Sequence, residues 1–352
     1  MKVKKVLLVG EQELDPSIYT YITSFKDSFL LLGFEVFMFN TKKSYLPFTN
    51  TMVYRLPNVL KKISNYICNR KLLNYSKKIS PDLIFFLKAE NIFLTTIQQV
   101  KNKKNVVVNF FPDNPLVVWN DSSNIEVLKS IREYDYFLSW SKILIPAYIS
   151  MGAKSVYYFP FAYDQNIYPE YADLNLNDSN KCDVCFVGTW EPYREIWLES
   201  LIRINPEINL LIWGNQWSDK LPIHSKLRNY LKGDAIYFNE MLSVFKMSKI
   251  VLNFIRVQNY SSHNMRTIET LASNAFLLTQ RTEEQAAELF IEGEHIACFA
   301  DINELNYKIE YYLKNEEERM LILEKGKQKV KEYKLVDQLA RLIDYIEKQE
   351  FE

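Results

Sequence analysis

The stretch Val251-Leu-Asn-Phe-Ile-Arg256, continued by Ser261-Ser-His-Asn-Met-Arg-Thr-Ile-Glu-Thr-Leu-Ala-Ser-Asn-Ala-Phe-Leu-Leu-Thr279, decides the fold. A short apolar run leads into a polar loop. A segment with helical spacing comes next, and then a second apolar run. Runs of this kind read as strands buried on both faces, with a helix between them. Ser261, Ser262 and Asn264 are candidate caps for that helix, because their side-chain oxygens can accept its first N–H groups. Its N-terminus suits a diphosphate. Arg266 and Glu269 lie three apart and share a helix face. Arginine suits phosphate and a carboxylate suits ribose hydroxyls. An ordinary surface ion pair would look the same at this stage.

The same rhythm extends in both directions. Towards the N-terminus, strands are expected at 5–10, 35–40, 82–87, 106–111, 134–140 and 155–161. Ile18, Ile22, Phe25 and Phe29 line one face of a helix that Gly33 ends. Residues 163–181 are polar, rich in Asn and Asp, and contain Pro169, a linker composition. Strands then resume at 183–188, 209–213, 235–238, 249–254, 275–279 and 297–300, and one long helix is expected from about 316 to 350. A chain of 352 residues suits two cores. The expectation is an α/β protein with two Rossmann-like, doubly wound domains facing across a cleft. The N-terminal domain would span 1–165, the linker 166–182 and the C-terminal domain 183–335. Residues 336–352 would form a final helix able to pack back on the first domain.

Composition narrows the partners. The 43 basic and 43 acidic residues cancel, but unevenly along the chain. Residues 42–104 hold 13 Lys and Arg against Asp82 and Glu90, while residues 283–352 hold 18 acids against 10 bases. That asymmetry fits either an anionic partner for the first half, such as an acidic membrane surface, or a solvated lysine-rich face. No nucleic-acid motif accompanies the basic residues, so nucleic acid is not an expected partner. Cys182 and Cys185 make a lone Cys-x-x-Cys with no second pair; buried structural thiols in a reducing compartment are expected. Neither a secretory leader nor an uncharged run long enough to span a bilayer is visible. A cytoplasmic chain is expected, with any contact at the inner face of the plasma membrane being peripheral.

Several blocks resemble one family. Asn264-Met-Arg-Thr-Ile-Glu269, Ala275-Phe-Leu-Leu-Thr279, the Glu-rich stretch 283–290, and Glu292-Gly-Glu294 through to Phe299-Ala-Asp301 resemble the C-terminal domain of CgeB-like glycosyltransferases. Cys185-Phe-Val-Gly-Thr189 with Arg194, Phe111-Pro-Asp-Asn-Pro115, and the stretch 139–162 are similar to other parts of that family. The resemblance covers about 82–329 and implies a GT-B fold with a nucleotide-sugar donor in the C-terminal domain. It implies that Glu269 accepts from the donor ribose and that Ser262, His263 and Asn264 turn backbone amides to the diphosphate, beside Thr267. Arg266 and Arg194 would face the leaving phosphate, Gly188 and Thr189 would lie against the donor, and Trp213 and Gly214 would flank the base. One departure is Ser261, which stands where related retaining enzymes carry the first glutamate of a Glu-x7-Glu pair. Another is Asn274, in place of the usual glycine.

A diphosphate leaving group can be neutralised by cations and helix N-termini without a metal, and the chain has no Asp-x-Asp. Metal-independent transfer with no further cofactor is therefore expected, with a UDP-sugar as the default donor. The acceptor would be a glycan, a lipid-linked saccharide or a protein, in bacterial surface polysaccharide or glycoconjugate synthesis. His224, His263 and His295 all lie in the second half, so a base on the acceptor side would be a carboxylate. Asp113 follows an apolar strand directly, Glu90 follows another, and Asp15 lies near the first helix. Asp113 reads equally well as a turn former before Asn-Pro. Among the loop tryptophans Trp119, Trp190 and Trp217, Trp190 is the candidate for sugar stacking. Two other readings stay open: a sugar-nucleotide epimerase or phosphorylase on the same scaffold, and a non-catalytic nucleotide-sugar-binding protein.

Overall fold

A computed structural model describes residues 2–12, 21–44, 58–88, 90–117, 125–168, 181–259 and 262–349. Ile18, Asp15, Trp119, Ser261 and most of the expected linker lie outside them. The chain divides into two compact units: Met1–Pro160 with Leu335–Glu352, and Phe161–Lys334.

The first unit runs β1 (Lys5–Gly10), α1 (Tyr21–Leu31), β2 (Glu35–Asn40), α2 (Thr41–Ser44), α3 (Asn58–Ile79), β3 (Leu83–Leu87), α4 (Leu94–Val100), β4 (Val106–Phe110), α5 (Ile125–Ser130), β5 (Tyr136–Ser139), α6 (Ile145–Ser150) and β6 (Val156–Tyr158). Its six strands are all parallel, in the order β2-β1-β3-β4-β5-β6. Val6 to Val9 on β1 and Leu83 to Phe86 on β3 are fully buried, which is why these strands read as unbroken apolar runs. Burying each such side chain stabilises the fold by about 1.5–3 kcal/mol. Phe25 of α1 packs on Phe85 and Phe110 with ring centroids 5.3 and 6.0 Å away, and Phe110 meets Phe159 at 5.2 Å. Gly33 ends α1 with φ +84°, where its N–H reaches the Leu30 carbonyl at 2.9 Å.

The second unit runs β7 (Cys182–Val187), α7 (Pro192–Ile204), β8 (Leu210–Trp213), α8 (Trp217–Lys220), β9 (Leu231–Gly233), α9 (Phe238–Met247), β10 (Ser248–Asn253), α10 (Met265–Ala272), β11 (Leu277–Gln280), a π-helical segment at Glu284–Leu289, β12 (Ala297–Phe299), α11 (Ile302–Lys314) and α12 (Glu316–Val330). The order is β12-β11-β10-β7-β8-β9, again all parallel. The last helix, α13 (Leu335–Gln349), belongs to the first unit. It buries Leu339, Leu342 and Ile346 there, sets Tyr345 against Tyr157 with centroids 5.0 Å apart, and its Glu347 accepts from the Val3 amide at 2.7 Å.

Two expected elements differ. The strand expected at 235–238 is absent: the paired segment is β9, earlier in the chain, and Phe238 opens α9 with φ +48°. In that apolar run Ile236 is buried but Tyr237 is 62% exposed, so no sheet face holds it. The single closing helix is two, because a 3-10 turn at Lys331–Tyr333 redirects the chain. There the Tyr333 carbonyl accepts from the Tyr163 amide at 3.0 Å. Cys68, Cys182, Cys185 and Cys298 are buried free thiols, and burial pushes Cys182 up to about 11. Among the described residues no helix is long and apolar enough to cross a membrane.

Candidate functional site

In a doubly wound sheet the ligand crevice opens where neighbouring strands send their connections in opposite directions. In the second unit that point lies between β7 and β10, paired through Cys185–Val251 and Phe186–Leu252. The segments leaving the carboxyl ends of these two strands therefore form the candidate site.

After β7, Gly188 and Thr189 form a turn tied to the turn after β8. The Gly188 amide donates to the Trp213 carbonyl at 2.9 Å, the Trp190 amide to the Asn215 carbonyl at 2.9 Å, and the Trp217 indole to the Gly188 carbonyl at 2.8 Å. Gly214 has φ +151°, and a Cβ on it would stand 2.0 Å from the Gly188 carbonyl oxygen. Only glycine lets these backbones approach so closely. Arg194 is buried beneath this turn. It donates to the Thr189 carbonyl at 2.7 Å and to the Tyr193 hydroxyl at 3.1 Å, over the Phe186 ring.

After β10, the loop before α10 is anchored by buried side chains. Asn264 caps the helix, its Oδ1 accepting from the Thr267 amide at 3.1 Å. Asn253, at the end of β10, donates to Asn264 Oδ1 and to Thr279 Oγ1, both at 3.0 Å. The Thr267 hydroxyl donates to Gln285 at 2.8 Å, and Gln285 donates to the Gln280 carbonyl at 2.6 Å. Thr282 donates to the Ser262 carbonyl at 2.6 Å. His263 is fully buried, and its Nε2 accepts from the Phe161 amide at 3.1 Å. Nδ1 therefore carries the proton, facing Ser262 Oγ at 2.7 Å. Burial drives its pKa down to about 3, so the ring is neutral.

Arg266 and Glu269 pair at 2.8 Å with only 20% and 19% of their side chains exposed. The Arg266 guanidinium lies over the Phe245 ring at 5.2 Å. Glu269 also holds the hydroxyl of Tyr168, whose pKa is raised well above its usual value by burial and then by that carboxylate.

The first unit reverses direction between β1 and β3, and a cavity of about 250 Å³ opens there, lined by Gly10, Glu11, Thr41, Lys88, Glu90 and other residues. Lys88 sits directly after β3 with φ +75° and reaches Glu90 at 3.0 Å and Asp113 at 3.2 Å. Burial works against its charge, but the two carboxylates outweigh burial and hold the ammonium above lysine's usual range. The Asp113 carbonyl is fixed by the Trp140 indole at 3.3 Å.

Comparison with solved structures settles the architecture. Sucrose-phosphate synthase from Thermosynechococcus elongatus superposes with a TM-score of 0.69 at 13% identity, covering 99% of both chains. HepE from Anabaena, in complex with UDP-glucose, gives 0.69 at 12% identity over 98% of this chain and 99% of that one. The trehalose 6-phosphate synthase from Burkholderia multivorans gives 0.66 at 13% over 99% and 100%. The fold is GT-B. Within it, residues 194–344 match a family model described as glycosyl transferase-like. No curated protein matches the chain by sequence.

The second GT-B unit thus brings Gly188, Thr189, Gly214, Asn264, Arg266, Thr267 and Glu269 to the two strands at its reversal. Several expected positions sit differently. The Ser262 amide is spent on the Asn259 carbonyl at 2.9 Å, and His263 is a buried strut. Trp213 is buried as the last residue of β8, and Arg194 braces a turn from inside. Trp190, half-buried, donates to Glu195 at 2.6 Å. Asp113 and Glu90 do meet, in the first GT-B unit, through a lysine that the sequence does not single out. Lys88 carries the same signal as Glu90: a charged residue at the carboxyl end of an apolar strand. Asn253 ends a strand in the same way, and Arg256, just beyond, pairs with Glu191 across the reversal point. Nothing in the sequence signals Tyr168. Among the described residues, no three His, Cys, Asp or Glu side chains are grouped to hold a metal ion.

Proposed function

We propose that this chain is a glycosyltransferase that takes a nucleoside-diphosphate sugar at the carboxyl end of the second sheet. The observation that carries the reading is the capped N-terminus of α10 standing at the β7–β10 reversal, opposite a turn where Gly188 and Gly214 keep the backbone bare. A helix N-terminus presents N–H groups and partial positive charge to a diphosphate. Glu269, oriented by Arg266 and Tyr168, keeps lone pairs for the ribose hydroxyls, since an ionised carboxylate accepts up to about four bonds. The match to a glycosyl transferase-like family model over residues 194–344 supports the same chemistry. Because HepE was solved with UDP-glucose, a UDP-sugar is the first donor to try.

On this reading the leaving diphosphate is stabilised by backbone amides around Asn264 to Arg266, without a metal. Arg194 acts by holding the Thr189 turn in place. The acceptor, a glycan, lipid-linked saccharide or protein of surface-polymer synthesis, enters the first unit's cavity. There Asp113 or Glu90 takes the proton of its hydroxyl. Lys88 holds both carboxylates in place through its two ion pairs. The narrower CgeB-like assignment, and contact with an anionic membrane through the exposed lysines of α3, belong to the same proposal.

Thermal-shift measurements with UDP, GDP, dTDP and CMP, each with and without divalent metal, test it. One nucleoside diphosphate should stabilise the protein by about 2.7 kcal/mol at a hundred times its Kd. The effect should be indifferent to metal and lost in Glu269→Ala. Stabilisation by no nucleotide, or an undiminished shift in that variant, sinks the reading.

A further inference from the structure

The second unit holds a different charged cavity. It measures about 440 Å³, and its lining includes Lys246, Lys327, Lys331 and Lys334, with Tyr168 and Ser273 among the polar groups. Lys246 ends α9 just before β10, and Ser273 and Asn274 precede β11, so the cavity lies at the amino-terminal edge of the sheet. The reversal point with Asn264 and Gly188 is at the opposite, carboxyl-terminal edge.

Three observations point to an anionic ligand. All four lysines are half-buried, whereas lysines ordinarily stand in solvent. Among the described residues no Asp or Glu lines the cavity. Lys327 does approach Glu324, at 3.7 Å, but that carboxylate is 55% exposed and outside the lining. Three of these lysines also fall within 283–352, the stretch with 18 acids to 10 bases. Its charge is thus sorted locally against its own average. Like charges gathered around one concavity repel each other, and a low-dielectric wall focuses their field on whatever enters. The walls are fixed: the Tyr163 amide is bonded to the Tyr333 carbonyl, Tyr163 bridges to Lys334, and Gly326 of α12 lies so close to the His295 carbonyl that a Cβ there would come within 2.4 Å.

We propose that this cavity is a second binding site, for the phosphate or diphosphate group of a small molecule or lipid, separate from the donor site. Its size falls within the range of ligand pockets, about 300–1,000 Å³. Tyr168 both lines it and bonds Glu269 of α10, so an occupied cavity can influence the donor helix through one hydroxyl. The site itself does not depend on the glycosyltransferase reading.

Calorimetric titration of the full chain with inorganic pyrophosphate tests the proposal, comparing wild type, the double variant Lys246→Gln with Lys331→Gln, and Asn264→Ala. The paired lysine variant should bind at least about tenfold more weakly, about 1.4 kcal/mol, with an unchanged melting temperature in the absence of ligand. Asn264→Ala should keep the lysine-dependent component of pyrophosphate binding at its wild-type affinity, whatever it loses at the donor helix. Should that variant unfold, Thr189→Ala, just after the carboxyl end of β7, serves as the control at the opposite edge. Cosedimentation with phosphatidylcholine vesicles carrying phosphatidic acid separates the sources. Lysine-dependent vesicle binding assigns the phosphate to a lipid headgroup, and pyrophosphate binding without vesicle binding assigns it to a soluble ester. Equal affinity of the lysine variant and wild type for both probes, or no binding by either, overturns the proposal.

Discussion

The two units share a rhythm of strand and helix but reverse at different places. In the first the reversal falls between β1 and β3, and the residues that gather there are charged side chains: Lys88 between Glu90 and Asp113. In the second it falls between β7 and β10, and backbone gathers instead: two glycine turns in contact and a capped helix end, clamped by buried amides and hydroxyls. A site made of side chains tolerates adjustment, since Lys88 and Asp113 are both about a third or more exposed. A site made of backbone is set by packing and cannot adjust locally. The two reversal points should therefore respond very differently to substitution.

The largest effect is expected at Gly214. In Gly214→Ala the new methyl meets the Gly188 carbonyl, and no rotamer relieves a backbone clash. We expect destabilisation of about 3 kcal/mol or more, together with loss of any nucleotide-induced shift. Urea unfolding measures the first and thermal shift the second. A loss below about 0.5 kcal/mol would mean that the turns after β7 and β8 can part freely, and the contrast between the units would collapse. Next comes Asn253→Ala, which leaves Asn264, Thr267 and Thr279 short of a buried partner. The cost should be about 2 kcal/mol, since unsatisfied buried groups lose their full solvation. The helix N-terminus should lose nucleotide affinity with it. Intact affinity in a destabilised protein would show that Asn253 holds the fold but not the site.

The contrast also explains how much of the molecule is legible in its sequence. The strand and helix alternation is, because Val6 to Val9, Leu83 to Phe86 and Val251 to Leu252 are apolar runs with both faces covered. Helical spacing marks Glu269 and Arg266, and a place after strands marks Asp113 and Glu90. The strand orders are not legible, since neighbours in a sheet are set by long-range packing. Lys88 is hidden because a lysine reads as solvent-exposed until two carboxylates converge on it. The family resemblance alone assigns the amides of Ser262 and His263 to the diphosphate. Burial turns them inward, and neither residue type nor spacing carries burial. The run at 235–238 misleads for the converse reason: Tyr237 is apolar enough for a strand yet lies 62% exposed.

A third effect is confined to the second unit and is read with pH. The folded imidazole of His263 takes a proton only near pH 3, whereas the unfolded one takes it below about 6.5. Between those values the unfolded state binds more protons, so stability is full above about 6.5 and falls as the pH is lowered towards 3. The slope should not exceed about 1.4 kcal/mol per pH unit. Comparing urea midpoints of wild type and His263→Gln between about pH 7 and pH 5 isolates it. The variant should be less stable at neutral pH but lose less on acidification. Parallel pH curves would mean that the ring takes its proton as readily in the fold as in the unfolded chain, and that its bond from the Phe161 amide does not hold it neutral.

The smallest effect on stability, and the sharpest test of the first unit, is Lys88→Gly. Left-handed backbone at a residue with a Cβ costs of order 1 kcal/mol, and glycine removes that cost. Against it stand two ion pairs at a partly exposed site, each contributing less than about 1 kcal/mol, and the greater freedom of glycine in the unfolded chain. The terms nearly cancel, so unfolding free energy should move by less than about 1 kcal/mol in either direction. If the strained conformation exists to place an ammonium between Glu90 and Asp113, the consequence appears elsewhere. Transfer to an acceptor should fall at least about tenfold while the nucleotide-induced shift stays unchanged. A loss of nucleotide binding instead would tie Lys88 to the donor. Unchanged transfer would leave its left-handed backbone as a feature of the chain's turn into α4, and the carboxylates of the first unit would lose their claim to the acceptor.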